Sequence, residues 1–246
     1  MIGATLRTIT GRKGSFLGGT LFVIITVLIV IVARIVIHDL RPGRIPSTGG
    51  QGMLDGATST IFLFGVVVAI LIGSLSGSYD VAQGTMRYLV ITGARRSQVY
   101  GARIVALTLA VLLMLAVPIA LGALASVALP HTAADAITAG EVADFVWTSV
   151  VFAVVFGLIS MGIGSLMRSN GPAIAISLVF SIGFSPLVLL LYSVNDTLGD
   201  ATLLSSLGRI SGDDSGLPIP LAATSVVAWV VAFLGVGWWR VNRDEY

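Results

Sequence analysis

The chain is 246 residues long, 56% hydrophobic and only 11% charged, with a mean hydropathy of +0.99 and a formal net charge of +2. A soluble domain carries about a quarter charged residues, so this composition points to lipid as the solvent. The lack of cysteine excludes disulfides, thiolate metal sites and cysteine nucleophiles, and the small net charge without an aromatic-interleaved basic cluster argues against a nucleic-acid partner.

Six apolar stretches each approach the roughly 20 residues a helix needs to cross hydrocarbon. The first, about residues 15–37, follows Arg7, Arg12 and Lys13 in the manner of a signal peptide. It is too long for a signal h-region and no small-residue cleavage site follows, so it is expected to be retained. The second covers about 57–77, the third 104–129 with Pro118 inside it, and the fourth 146–167. The fifth covers about 173–194 and contains Pro186, which leaves open a helix that ends early and a short re-entrant piece. The sixth, about 221–239, begins after LPIP and ends in WWR. Backbone in lipid must bond to itself, so runs of this length are expected to be helices. The expected fold is an all-α polytopic membrane protein with six transmembrane helices. One membrane domain would cover residues 1–246, without an internal repeat.

Orientation follows from where lysine and arginine fall. Six spans put the N-terminus, the second and fourth connections and the C-terminus on one side. That side holds Arg7, Arg12, Lys13, Arg87, Arg95, Arg96, Arg103, Arg168, Arg240 and Arg243. The other side holds Arg41, Arg44 and Arg209, and most of the acids. Both termini are therefore expected to be cytoplasmic.

Catalytic and carrier chemistries lack their residues. His38 and His131, the two histidines, fall in expected outer loops without a ligand cluster. No HExxH, GxSxG or paired carboxylates occur within a span, so neither a catalytic nor a metal site is expected. Every acid falls in an expected loop or terminus, whereas a proton- or sodium-coupled carrier keeps ionisable groups at mid-membrane. Arg34 is the one charged residue well inside a run; it either snorkels to the outer interface or contacts an anionic substrate or headgroup. No GxxxxGK[ST] loop is present, so any driving nucleotide would be hydrolysed by a partner.

The inner connection between the second and third spans, SGSYDVAQGTMRYLVITGARRSQVYGARIV, carries four arginines. SYDVAQGTMRYLV is compatible with a short helix along the inner surface, with Asp80 suited to the positive end of its dipole. Topology alone accounts for the arginines, which also suit anionic headgroups. It does not account for the order of the pattern: Asp80, then Gly84-Thr85, Arg87, Leu89-Val90, Arg96 and Arg103 seven positions later.

That order resembles the permease subunits of ABC-2 type ABC transporters, whose corresponding link reads E-x-x-x-G-T, R, a leucine pair, a proline, S-R and a later lysine. This chain departs by Asp80 for glutamate, Gly93 for proline and Arg103 for lysine. The resemblance extends to the six-helix topology, to a short inner link at residues 164–176 and to an outer element between the fifth and sixth spans. It implies a coupling helix formed by residues 80–90 that docks on a separate ATP-binding subunit. Asp80, Gly84, Thr85, Arg87, Arg95, Arg96 and Arg103 would then form the coupling segment. It further implies two ATP-binding subunits carrying ATP and Mg, a second permease that is either the same chain or a homologue, and no cofactor on this chain. The N-terminal TLRTITGRKGS would be a second inner contact lying at the interface. The outer segment 195–220 would be a partly re-entrant or extracellular helical element.

Small residues mark where helices meet: Gly157, Ser160, Gly162 and Gly164 in the fourth span, Gly18-Gly19 in the first, Ser177 and Ser181 in the fifth. By the resemblance, Gly18, Gly19, Arg34, Ser177, Ser181 and Phe184 are candidates for the translocation route or the dimer interface; ordinary intrachain packing is the alternative. The resulting expectation is the permease subunit of an ATP-driven exporter of a lipophilic drug, peptide or lipid, in a bacterial cell membrane. The alternative from another class is a membrane-embedded immunity or assembly protein that transports nothing.

Overall fold

The structure is a computed structural model that describes residues 2–11, 13–41, 47–82, 96–132, 135–167, 169–212 and 216–243, without side chains at 13, 80–82 and 182–187. All secondary structure among the described residues is helical: α1 (Ile2–Thr10), α2 (Gly18–Leu40), α3 (Gly50–Thr60), α4 (Val66–Ala82), α5 (Arg96–Ala128), α6 (Ala139–Leu166), α7 (Asn170–Val194), α8 (Asp196–Asp200), α9 (Leu203–Ile210) and α10 (Ile219–Arg243). A π-helical turn, Lys13–Leu17, leads into α2, and a second, Ile61–Gly65, joins α3 to α4 without a break.

Five helices are long and apolar enough to cross a membrane: Gly14–Leu40, Gly50–Tyr79, Arg96–Ala128, Ala139–Leu166 and Ile219–Arg243. The protein is thus a multi-pass helical membrane protein by length and composition. Several helices exceed their apolar runs. The second begins seven residues before position 57, and the third begins eight residues before position 104, so Arg96 and Arg103 are helical rather than part of a connecting loop. The polar ends are extra turns whose backbone bonds internally. The fifth apolar stretch forms α7, which is helical through position 186, so Pro186 does not end it. Proline is tolerated inside membrane helices because neighbouring groups satisfy the freed carbonyl.

Helix α6 is the centre of the bundle. It packs most extensively against α4, then against α10, with α5 and α7 completing its surroundings. Its N-terminus is set by a reciprocal cap: the Thr138 backbone N–H donates to Glu141 Oε2 at 2.7 Å, and the Glu141 N–H to Thr138 Oγ1 at 3.3 Å. Helix α2 lies at the edge against α5 and α3, with Val23 and Val27 buried and Leu21, Ile25, Ile29 and Val32 exposed. Such an apolar exterior is the expected surface of a helix solvated by acyl chains. The N-terminal α1 packs on α5 through Leu6 and the buried Ile9, so it is docked on the bundle.

The segment after α7 is folded. Helices α8 and α9 pack on α7 and α10, and Leu203 and Leu207 are buried. Ala201 anchors this element, its carbonyl oxygen accepting from Ser225 Oγ at 2.7 Å and from Trp229 Nε1 at 3.2 Å. His38 lies in the last turn of α2, not in a loop as expected, whereas His131 follows α5 with Nδ1 3.0 Å from the Leu129 carbonyl oxygen.

Candidate functional site

Four features carry polar or close-packed structure: a glycine-lined seam through α6, an arginine–tyrosine group where α5 meets α10, a knot around Arg34 at the other end of the bundle, and two cavities.

The seam follows from residues without side chains. A Cβ at Gly73 would overlap the carbonyl oxygen of Gly157, and one at Gly77 would overlap that of Met161. From the other side, a Cβ at Gly164 would overlap the Ser74 carbonyl oxygen. Helices α4 and α6 therefore touch backbone to backbone, the contact that a G-x-x-x-G spacing allows in membranes. Gly162 makes the equivalent approach to the Phe233 backbone of α10. The glycines of α6 at 157, 162 and 164 are thus used for packing within the chain. Gly73 and Gly77, which complete the seam, carry a spacing that GSLSG displays and that the sequence reading passed over.

Where α5 meets α10, Arg96 Nη1 donates to the carbonyl oxygens of Val241 and Asn242, both at 3.4 Å. These are among the last carbonyls of α10, which have no intrahelical donor, and the guanidinium also suits the negative end of that helix. One turn on, Tyr100 is buried and its hydroxyl donates to the Leu234 carbonyl oxygen at 3.1 Å. Gly237 makes room for it, since a Cβ there would lie 2.6 Å from that hydroxyl. Arg103 is 2% exposed and sits near Tyr100 inside the bundle. Of the expected coupling segment, Gly84, Thr85, Arg87 and Arg95 lie outside the described residues. Asp80 lies in the last turn of α4, and its side chain is likewise outside them. Arg96 and Arg103 therefore belong to α5, the first bonded to α10 and the second enclosed.

On the opposite side, Arg34 donates through Nη1 to the Gly52 carbonyl oxygen and through Nη2 to that of Ser47 at 3.4 Å. Gly52 leaves room for the guanidinium, since a Cβ there would lie 2.5 Å from Nη2 and the arginine would have to shift. The strand of chain before α3 is held again by Pro130, whose carbonyl oxygen accepts from the Thr48 and Gly49 N–H groups at 3.2 and 2.9 Å. Asp135 closes the knot. Hydrogen bonds from the Ser47 and Thr132 hydroxyls, with Arg34 nearby, hold its carboxyl below the usual range. Arg34 thus ties the end of α2 to the start of α3, a role outside both expectations for it.

Of the remaining candidates, Gly19 packs on Val68 of α4, while a Cβ at Gly18 would meet nothing within 4 Å. Ser181 Oγ donates to the Ser177 carbonyl oxygen at 2.8 Å. The Ser177 hydroxyl is buried and has no hydrogen-bond partner among the described residues. The side chain of Phe184 lies outside the described residues.

Ser181 faces a cavity of about 170 Å³ that it shares with Phe62, Val66, Ile70, Phe156 and Leu204. The π-helical turn contributes Phe62, which packs edge-on against Phe152 with ring centroids 4.9 Å apart. A π turn displaces the residues that follow it from the face a straight helix would give them. Leu204, from the short helix α9, closes the same cavity from the segment after α7. A second cavity of about 250 Å³ lies between α3 and the start of α6, where Gln51, Asp55, Glu141, Asp144 and Thr148 line it beside Leu54 and Phe145. Asp55, Glu141 and Asp144 are thus helical and not in the expected loops. No group of three His, Cys, Asp or Glu side chains among the described residues is arranged to hold a metal ion.

No protein-family model matches the chain, and no curated protein matches it significantly.

Proposed function

We propose that the chain is the permease subunit of an ATP-driven exporter of the ABC-2 type, working as a pair of permeases with two separate ATP-binding subunits. The observation that carries this reading is the ordered pattern from Asp80 to Arg103, lying between the helices Gly50–Tyr79 and Arg96–Ala128. In this reading residues 80–90 form the coupling helix and the bundle has six spans, α7 being the fifth, with both termini cytoplasmic. The Arg96 bond to the end of α10 supports the reading mechanically. A push on the segment before α5 reaches α10 directly through it, and through Gly162 and Phe233 reaches α6. The apolar cavity at Phe62, Phe156 and Ser181 suits a lipophilic substrate.

The reading is tested by affinity purification of the chain from detergent-solubilised membranes, beside a variant carrying Asp80→Ala and Arg87→Ala. Recovery of an ATP-binding subunit that the variant loses supports it. An intact variant that retains the subunit removes the coupling role from this segment. Purification without any ATPase favours the membrane-embedded assembly or immunity protein.

A further inference from the structure

An open groove of about 360 Å³ runs between α5 and α10, lined by Ser97, Tyr100, Gly101, Leu234, Gly235 and Trp238 among others. Two glycines create it. A Cβ on Gly101 or Gly235 would meet nothing within 4 Å, unlike the seam glycines, where a Cβ would strike backbone. Tyr100 is among the lining residues, and its hydroxyl is bonded to the Leu234 carbonyl oxygen. From Ser97 to Ile104 the groove follows α5 for about 10 Å at the helical rise, most of one roughly 15 Å hydrocarbon leaflet.

The two ends differ. One is apolar, between Ile104 and Val231. The other ends at Ser97 and Trp238, and the residue before Ser97 is Arg96, which is bonded to the last carbonyls of α10. Arg240 and Arg243 stand in those same turns, Arg243 with its guanidinium 4.7 Å from the Trp239 ring centroid. Trp238, 46% exposed, stands at the rim, the position aromatic residues take at a membrane interface. An apolar slot with positive charge at its interfacial end matches one acyl chain joined to an anionic headgroup. A protein helix, about 10–12 Å across with its side chains, would need a broader seat.

We propose that this groove holds an anionic phospholipid of the cytoplasmic leaflet, with an acyl chain along Gly101 and Gly235 and its phosphate beside Arg96. The leaflet rests on the orientation with both termini cytoplasmic; the site is independent of transport. Each arginine near the headgroup plane favours an anionic over a zwitterionic lipid by about 5-fold.

The test uses the full chain retaining Trp238, with Trp147, Trp229 and Trp239 changed to phenylalanine, in phosphatidylcholine vesicles. Brominated phosphatidylglycerol or brominated phosphatidylcholine is added at equal mole fraction, and quenching of Trp238 is read. The expected result is at least about a 5-fold preference for phosphatidylglycerol, reduced by Arg96→Gln and abolished by Gly101→Leu with Gly235→Leu. Equal quenching by the two lipids, or a preference that survives the leucine pair, overturns the proposal. Should the tryptophan substitutions unfold the protein, native mass spectrometry of the otherwise unaltered chain, with and without Gly101→Leu, counts retained phosphatidylglycerol and decides the same question. The side of the C-terminus is read separately by protease accessibility of an epitope. An external C-terminus overturns the leaflet assignment and the orientation together, whereas a cytoplasmic one with no lipid preference overturns the lipid site alone.

Discussion

Gly73 of α4 lies on the carbonyl oxygen of Gly157 in α6, with no space for a Cβ between them. This contact sits in the most extensive helix pair of the bundle, so it sets how closely α4 and α6 approach.

Gly73→Ala is therefore expected to force the two backbones apart and destabilise the protein by about 1–3 kcal/mol, the usual cost of overpacking. Gly77→Ala should act similarly against Met161. Gly101→Ala, with open space at its Cβ, is the control and should leave stability within about 0.5 kcal/mol of the parent. Thermal unfolding in detergent measures all three; equal midpoints for Gly73→Ala and Gly101→Ala would contradict the seam.

Arg34 is expected to stabilise the segment leading into α3 through its bonds to Gly52 and Ser47. Removing it leaves two carbonyl oxygens without a charged donor, a loss of about 1.5–3 kcal/mol per such bond at most. Arg34→Lys should not rescue, because one ammonium cannot span both oxygens as the planar fork does. Proteolysis of residues 41–49 in intact vesicles reads the effect: faster cutting in both variants is expected, and a lysine variant indistinguishable from the parent would show that charge alone matters.

Asp135 adds a pH dependence to the same knot. Its folded carboxyl is held below the ordinary value because the Ser47 and Thr132 hydroxyls donate to the charged form. A depressed folded pKa gives a contribution present above the unfolded value, about 3.9, and lost as pH falls through the folded value. The difference in unfolding midpoint between the parent and Asp135→Asn should be constant above about pH 5 and close below pH 4. A difference that widens on acidification would reverse the assigned sign.

Tyr100→Phe removes the hydroxyl that donates to Leu234. Hydrogen bonds between membrane helices average about 0.6 kcal/mol and reach about 1.7, so the expected loss is small. Gly237→Ala should cost more, since the added methyl displaces the hydroxyl and meets the Gly162 backbone 3.0 Å away. In Tyr100→Phe the Gly237→Ala penalty should shrink, because the nearest obstructing atom is gone. Additive losses in the double variant would separate the two residues.

Much of the architecture was legible in the chain because lipid permits few solutions. An unbroken apolar run must bond to itself, so the first span at 15–37 falls inside the helix Gly14–Leu40, and the fourth at 146–167 overruns the end of Ala139–Leu166 by one residue. Helix ends were less legible. Asp55 and Arg96 are polar yet helical, since hydropathy reports where hydrocarbon lies and not where backbone hydrogen bonding stops. For the candidate site, the glycines of α6 were visible as small residues, but whether each one faces α4, α10 or lipid depends on rotation about the helix axis.

The sequence by itself determined that this is a helical membrane protein, through its scarcity of charge and its long apolar runs, and it carried the ordered segment from Asp80 to Arg103. Tertiary structure alone decided which positions meet. It made Gly73 and Gly157 a backbone contact and Gly101 and Gly235 an open groove, although all four are glycines in membrane helices. It also bound Arg34 to the segment before α3 and Arg96 to the end of α10. The physical reason is the same in each case: composition sets the solvent a helix prefers, whereas a residue's partner depends on which helix face the neighbouring backbone reaches.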